Sequence, residues 1–143
     1  MVYIEDTGSL YDAPIDVVWK YMQSDDHIKA HNTVRNGEAQ ILSETSVLFT
    51  GETLVDGRWA KDVSRVTVFA PIGQAVEVLE GHWAGSRMLH LYRPRGDKTQ
   101  VDVFAEVTSS TIPAKDLERV FRQSLEIAFN EDTPGVRAFS AKK

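Results

Sequence analysis

Cysteine is absent from the 143 residues, which excludes disulfide staples and thiolate chemistry and suits a reducing compartment without requiring one. Proline is sparse at five residues, and the nine glycines form no low-complexity tract. With no internal repeat or Ser/Gly linker to mark a boundary, residues 1–143 are expected to form a single domain. Long hydrophobic runs are also missing. The N-terminal MVYIEDTGSL lacks the basic start and apolar centre of a signal peptide, so the expectation is a cytoplasmic protein without stable membrane insertion. Clustered Lys and Arg are lacking and the net charge is −5, which argues against nucleic acid as a partner. GxSxG, Walker and dinucleotide fingerprints do not occur, so hydrolase, nucleotide and nicotinamide readings lose their usual apparatus and no cofactor is expected.

What is present is the balance of an ordinary globule, 42% apolar and 26% charged, in a chain long enough to bury most of its unfolded surface. Residues 2–11 read as a strand. Asp12, Ala13 and Pro14 then form a helix start, and Ile15, Val18, Trp19 and Met22 recur at i, i+3, i+4, i+7 as one buried face. A second short helix is predicted from Asp25 to His31 with Ser24 as its cap, and Asn36 and Gly37 signal a turn. From Glu38 to Ser110 the pattern becomes six short β-rich runs bounded by turn residues. Asp56 and Gly57 suit a type I′ hairpin, Pro71 to Gly73 a turn, and Pro94 to Lys98 a longer hairpin loop, so neighbouring strands should be antiparallel. Arg95, Gly96 and Asp97 spell the adhesion tripeptide but fit a hairpin turn better in a chain without a secretion signal. Pro113 opens a long helix with Leu117, Val120, Phe121, Ser124, Leu125 and Ala128 on one face. Arg119, Arg122 and Glu126 lie mainly opposite, and Pro134 and Gly135 should end or kink the helix.

This order, with DAPIDVVWKYM at 12–22, the YRPRGDKTQVDV hairpin at 92–103 and the terminal helix, resembles the Bet v 1-like superfamily. That superfamily includes START lipid-transfer domains, polyketide cyclases and aromatases, and relatives of one carbon monoxide dehydrogenase subunit. The resemblance covers essentially the whole chain and implies an α+β helix-grip fold. Its seven-stranded antiparallel sheet would curl around the long C-terminal helix, with two short helices after the first strand. It further implies a cavity between sheet and helix that takes small apolar or amphipathic molecules.

Strand parity supports a partly wet interior. Val101, Val103, Ala105 and Val107 form an inward row opposed by Asp102 and Glu106, but between 59 and 69 neither face is dry. In GHWAGSRMLHLY, Ser86, Met88, His90 and Tyr92 face one way and Arg87, Leu89, Leu91 and Arg93 the other, and parity alone does not say which is inward. A buried polar group without a partner costs roughly 1–3 kcal/mol, so such groups imply water, an internal network or a ligand.

The candidate ligand-lining residues are Trp59, Trp83, Arg87, Met88, His90, Tyr92, Phe121, Ser124 and Leu125. Trp59 and Trp83 offer flat apolar surfaces, with ordinary packing as the alternative; Trp19 belongs to the first helix's stripe and to folding. Arg87 could receive a carboxylate or phosphate, or bridge to Glu77 or Glu80. Ser124 is the one hydroxyl in the long helix's stripe, placed to touch ligand or to bond back to the preceding turn. His90 with Tyr92, or with Glu106 on the adjoining strand, forms a candidate general acid–base group, against the blander reading of a structural histidine. His27 and His31, spaced i, i+4, are candidate metal ligands. A third ligand would come from His82, His90 or a remote carboxylate, and the alternative is an exposed polar helix face. The resemblance also places His31 near a cavity entrance.

The function expected from the sequence is binding of a small hydrophobic or amphipathic molecule, a lipid, polyketide or aromatic, in the cavity. The rivals are a cyclase, aromatase or dehydratase acting there, and a protein-binding module using an apolar outer sheet face. A homodimer is compatible with the sequence.

Overall fold

Residues 1–141 are described in the computed structural model. They run β1 (Val2–Tyr11), α1 (Ile15–Met22), α2 (Asp25–Lys29), β2 (Val34–Ile41), β3 (Ser46–Val55), β4 (Arg58–Phe69), β5 (Gly73–Glu80), β6 (Arg87–Arg95) and β7 (Lys98–Val107). A single 3₁₀ turn at Ala114–Asp116 then leads into α3 (Leu117–Ala141). All neighbouring strands pair antiparallel in the order β1-β7-β6-β5-β4-β3-β2.

The sheet is curled, and the core shows why. Ile4 on β1 and Val55 on β3 stand five strands apart, which would be about 24 Å in a flat sheet. Yet both join one cluster with Leu117, Val120 and Phe121 of α3. A sheet that meets a single helix from both flanks must wrap it. Bulges assist the bend in β1 between Asp6 and Ser9 and in β2 between Arg35 and Glu38. The second bulge corrects the expected turn at Asn36–Gly37: β2 starts earlier, at Val34, and Asn36 takes a φ of 54° as the extra residue within it. Asparagine tolerates that left-handed backbone, so the same residue serves a turn or a bulge. The Asp56–Gly57 hairpin has both residues at positive φ, 51° and 77°, as a type I′ turn requires. The β6–β7 loop is tighter than the sequence suggested. Arg95 pairs with Lys98, leaving Gly96 and Asp97 as the turn.

In α1 the buried residues are Val17, Val18, Trp19 and Tyr21, a wider band than the expected stripe. The helix is covered on two sides, by β6 and β7 and by α3. Trp19 donates its indole N–H to the Pro71 carbonyl at 2.8 Å and packs tilted against the Tyr92 ring at 4.9 Å, in keeping with a folding role. α2 stops at Lys29, short of His31, and the Ser24 hydroxyl donates to the Tyr21 carbonyl at 2.6 Å instead of capping α2.

Of the expected end or kink at Pro134 and Gly135, the end does not occur: α3 continues through Pro134 to Ala141. A mid-helix proline costs about 3 kcal/mol, and burying each large apolar side chain returns roughly 1.5–3 kcal/mol. Val136, fully buried, and Phe139 dock on the cluster of Val17, Val18 and Tyr21, so tertiary contact outweighs the local penalty. Gly135 permits that docking: a Cβ there would lie 2.5 Å from the Tyr21 hydroxyl and 2.8 Å from its ring. Gly135→Ala, which in an exposed helix would gain about 1 kcal/mol, is therefore expected to lose about 1–3 kcal/mol by overpacking. Urea denaturation of the variant checks the sign.

Candidate functional site

α3 does not fill the hollow of the sheet. Two cavities remain, of about 460 Å³ and about 200 Å³, and His31 and Ala128 line both. The larger lies between α3 and the β3–β4 end of the sheet, against Val55, Trp83, Val120 and Ile127, with Asp62, Gln123 and Ser124 as polar wall. β4 presents Asp62 and the buried Ser64 inward, so its apolar Trp59 falls on the other face. Burial pushes the Asp62 carboxyl upward from 3.8, and the hydroxyls of Ser64 (2.7 Å) and Thr53 offset this only in part.

The smaller cavity is bounded by Tyr11 of β1, His90 and Tyr92 of β6, Leu125, Phe129 and Asp132 of α3, and His27 and His31. The inward face of β6 is thus Met88, His90 and Tyr92, opposite Ala105, Val103 and Val101 of β7. A polar network closes one end. Asp132 is buried and accepts the Tyr21 hydroxyl at 2.9 Å and, at 3.4 Å, that of Tyr11. His31 places Nε2 at 3.0 Å from Asp132 Oδ1 and Nδ1 at 2.9 Å from Glu131 Oε1. His27 places Nε2 at 3.5 Å from the same Asp132 oxygen and Nδ1 at 3.2 Å from the Met22 carbonyl. Glu131 also accepts the Asn32 backbone N–H (2.7 Å) and the Thr33 hydroxyl (3.0 Å), tying the α2–β2 connection to α3.

Burial alone would raise the Asp132 carboxyl, but hydrogen bonds and charge from His27 and His31 overcome it and hold it at about 2. Burial would lower His31, and the two carboxylates beside it win, leaving its pKa above 6.5. Burial and the Asp132 charge push Tyr11, Tyr21 and Tyr92 upward, so all three stay protonated. His90 differs. Desolvation lowers it to about 4, and its Nε2 is buried with no hydrogen-bond partner among the described residues.

The candidates named from sequence therefore separate. Trp83, Ser124, Leu125, His90 and Tyr92 line the cavities, whereas Phe121 is solid core, edge-on to Trp83 at 5.1 Å. Met88 packs against that same core. Trp59 lines neither cavity; it lies on the surface beneath the Arg35 guanidinium at 4.1 Å. Arg87 and Glu106 also face outward and pair with each other at 2.6 Å, because strand register sets them opposite. Glu106 is consequently no partner for His90. His82 bridges the Arg58 carbonyl (2.9 Å) and the Thr111 hydroxyl (3.0 Å), far from the other histidines in role. Asp102, expected outside, is covered by the β1 bulge and accepts the Gly8 N–H at 2.9 Å while pairing with Arg93. The carboxylate that meets His27 and His31 is Asp132. Its signal was in the sequence: extending the α3 stripe one turn past Ala128 lands on an acid at a buried position.

The architecture is the helix-grip fold of START and Bet v 1-like proteins, and the comparison with solved structures shows it over nearly the full chain. A protein of Thermus thermophilus superposes with a TM-score of 0.82 at 14% identity, covering 97% of this chain and 99% of that one. The Zhui aromatase/cyclase of Streptomyces sp. R1128 gives 0.75 at 13% identity, covering 99% and 94%. A START superfamily protein of Mycobacterium smegmatis gives 0.73 at 13% identity, covering 95% and 97%. No protein-family model matches the chain, and no curated protein matches it. Among the described residues no helix is long and apolar enough to cross a membrane.

Proposed function

We propose that the protein binds a small amphipathic molecule in the hollow between sheet and α3. The observation that carries this reading is the cavity of about 460 Å³, walled by Trp83, Val55 and Val120 on one side and by Asp62, Gln123 and Ser124 on the other. Its volume falls in the range of about 300–1,000 Å³ typical of small-molecule sites. The apolar wall takes rings or acyl chain, and the polar wall fixes one end of the ligand. Filling the space should abolish binding while sparing the fold, because Ser124 is half-buried at the cavity edge of α3. Ser124→Phe is expected to weaken binding of an anilinonaphthalene sulfonate probe roughly tenfold or more, with an unchanged urea midpoint. Equal probe affinity in variant and parent would remove the cavity from the account.

A catalytic reading has its own support in the His31–Asp132 pair: His31 sits in the wall common to both cavities, and Asp132 lines the smaller one beside it. A histidine fixed between two carboxylates is suited to moving a proton at a ligand's polar end. This favours His31 over His90 as the acid–base group of a cyclase- or dehydratase-type reaction, and the likeness in fold to an aromatase/cyclase is compatible with it. The partner is in either case a small molecule. Single-turnover assays on aromatic polyketide substrates, comparing His31→Gln with the parent, separate turnover from binding.

A further inference from the structure

We infer that His27, His31 and Asp132 form a binding site for one divalent first-row transition-metal ion, of the zinc or ferrous class, at the end of the smaller cavity. This does not need the ligand-binding reading, and it is an alternative to the acid–base reading of His31, whose Nε2 cannot both ligate a metal and carry a proton. One donor atom from each residue lies within 4.8 Å of the others. Two turn-spaced histidines come from α2 and the residues following it, and the carboxylate comes from α3, so the site exists only in the folded chain.

The orientation of the rings is the stronger observation. His27 Nδ1 is 3.2 Å from the Met22 carbonyl, and His31 Nδ1 is 2.9 Å from Glu131 Oε1. Both partners are acceptors, so each Nδ1 carries a hydrogen. Neutral rings in that tautomer turn the lone pairs of both Nε2 atoms toward Asp132 Oδ1, at 3.5 and 3.0 Å, where another lone pair meets them. Three acceptors converging on one point require a cation among them. Protons on the rings are one answer and a metal ion is the other. The surroundings have the outer arrangement that metal-bound imidazoles use, with a backbone carbonyl and a carboxylate holding the far ring nitrogens and Tyr21 donating to the ligating carboxylate. Two imidazoles disfavour magnesium and calcium, which take oxygen, and match zinc, iron or cobalt. Three protein ligands leave coordination positions free, and all three residues line the smaller cavity, so those positions face bound solute rather than protein.

The full-length chain, stripped with chelator, is titrated with Co(II) followed by visible absorption and with Zn(II) followed by calorimetry. One equivalent of bound metal and visible d–d bands are expected. His27→Gln and His31→Gln should each weaken binding by about 100-fold or more, and Glu131→Gln by about 10–100-fold with unchanged stoichiometry. Circular dichroism confirms folding of each variant. Should His31→Gln fail to fold, His27→Gln decides, because the His27 side chain is only partly covered, at 29% exposure. Absence of saturable Co(II) or Zn(II) binding by the parent would mean that ring protons fill the site and would overturn the inference. Parental affinity retained in both histidine variants would overturn it equally, as adventitious surface binding.

Discussion

Asp132→Ala, measured by urea denaturation in chelator-containing buffer, is expected to lower the unfolding free energy by about 3–5 kcal/mol, the cost of leaving one side of a buried charged network without its partner. Asp132 has 5% of its surface exposed and accepts from Tyr21 while facing Tyr11, His27 and His31. Its removal strands the Tyr21 hydroxyl, which is fully buried, and an unsatisfied buried donor alone costs about 1–3 kcal/mol. It also leaves His31 with Glu131 as its only carboxylate neighbour in the network. Tyr21→Phe removes one donor without stranding a charge and should cost no more than about 1.5 kcal/mol, so the two variants bracket the hydrogen-bonded share. A loss under about 1 kcal/mol for Asp132→Ala, the value of an exposed pair, would show that water already serves these groups.

That network also marks where sequence reading stops. Periodicity and turn residues were enough for the element order, because period-2 runs, the Asp56–Gly57 hairpin and the α3 stripe are each local signals. Residues whose role depends on register were legible only in part. Glu106 and His90 lie on adjacent strands, yet β7 pairs Glu106 with Arg87 and Val103 with His90, which sends the carboxylate to the outer face. Trp59 and Asp62 sit on one strand, and no local pattern said that the acid rather than the indole faces the cavity. The meeting of His27 and His31 with Asp132 spans about a hundred residues of chain, and α3 runs on past it through Pro134, where local propensity says end or kink. Long-range packing of Val136 and Phe139 decides that question, and it is invisible in a window of any ordinary length.

His90 should give the protein an acid-sensitive stability limb that a single substitution flattens. Its pKa falls from 6.5 to about 4 through desolvation, so the folded state favours the neutral ring. For a base depressed in this way, stability is fully present above 6.5 and is lost as pH falls toward 4, because the unfolded chain takes up a proton that the folded chain refuses. The loss across that window is about 3 kcal/mol. His31 moves oppositely: its pKa is raised, so its stabilising effect is complete below 6.5 and adds no slope there. Asp132, held near 2, is ionised in the folded state throughout. The slope between pH 6.5 and 4 therefore reports mainly on His90 among the groups lining the smaller cavity. His90→Leu removes both the titration and the partnerless Nε2, and is expected to flatten the limb while raising stability at neutral pH by about 1–3 kcal/mol. Guanidinium melts of parent and variant at pH 7, 5.5 and 4.5 test this. Parallel pH profiles would mean that His90 keeps access to water, and a hydrated imidazole there would return it to consideration as an acid–base group. A flattened profile leaves it as a neutral wall, and assigns any proton transfer in the cavity to the His31–Asp132 end.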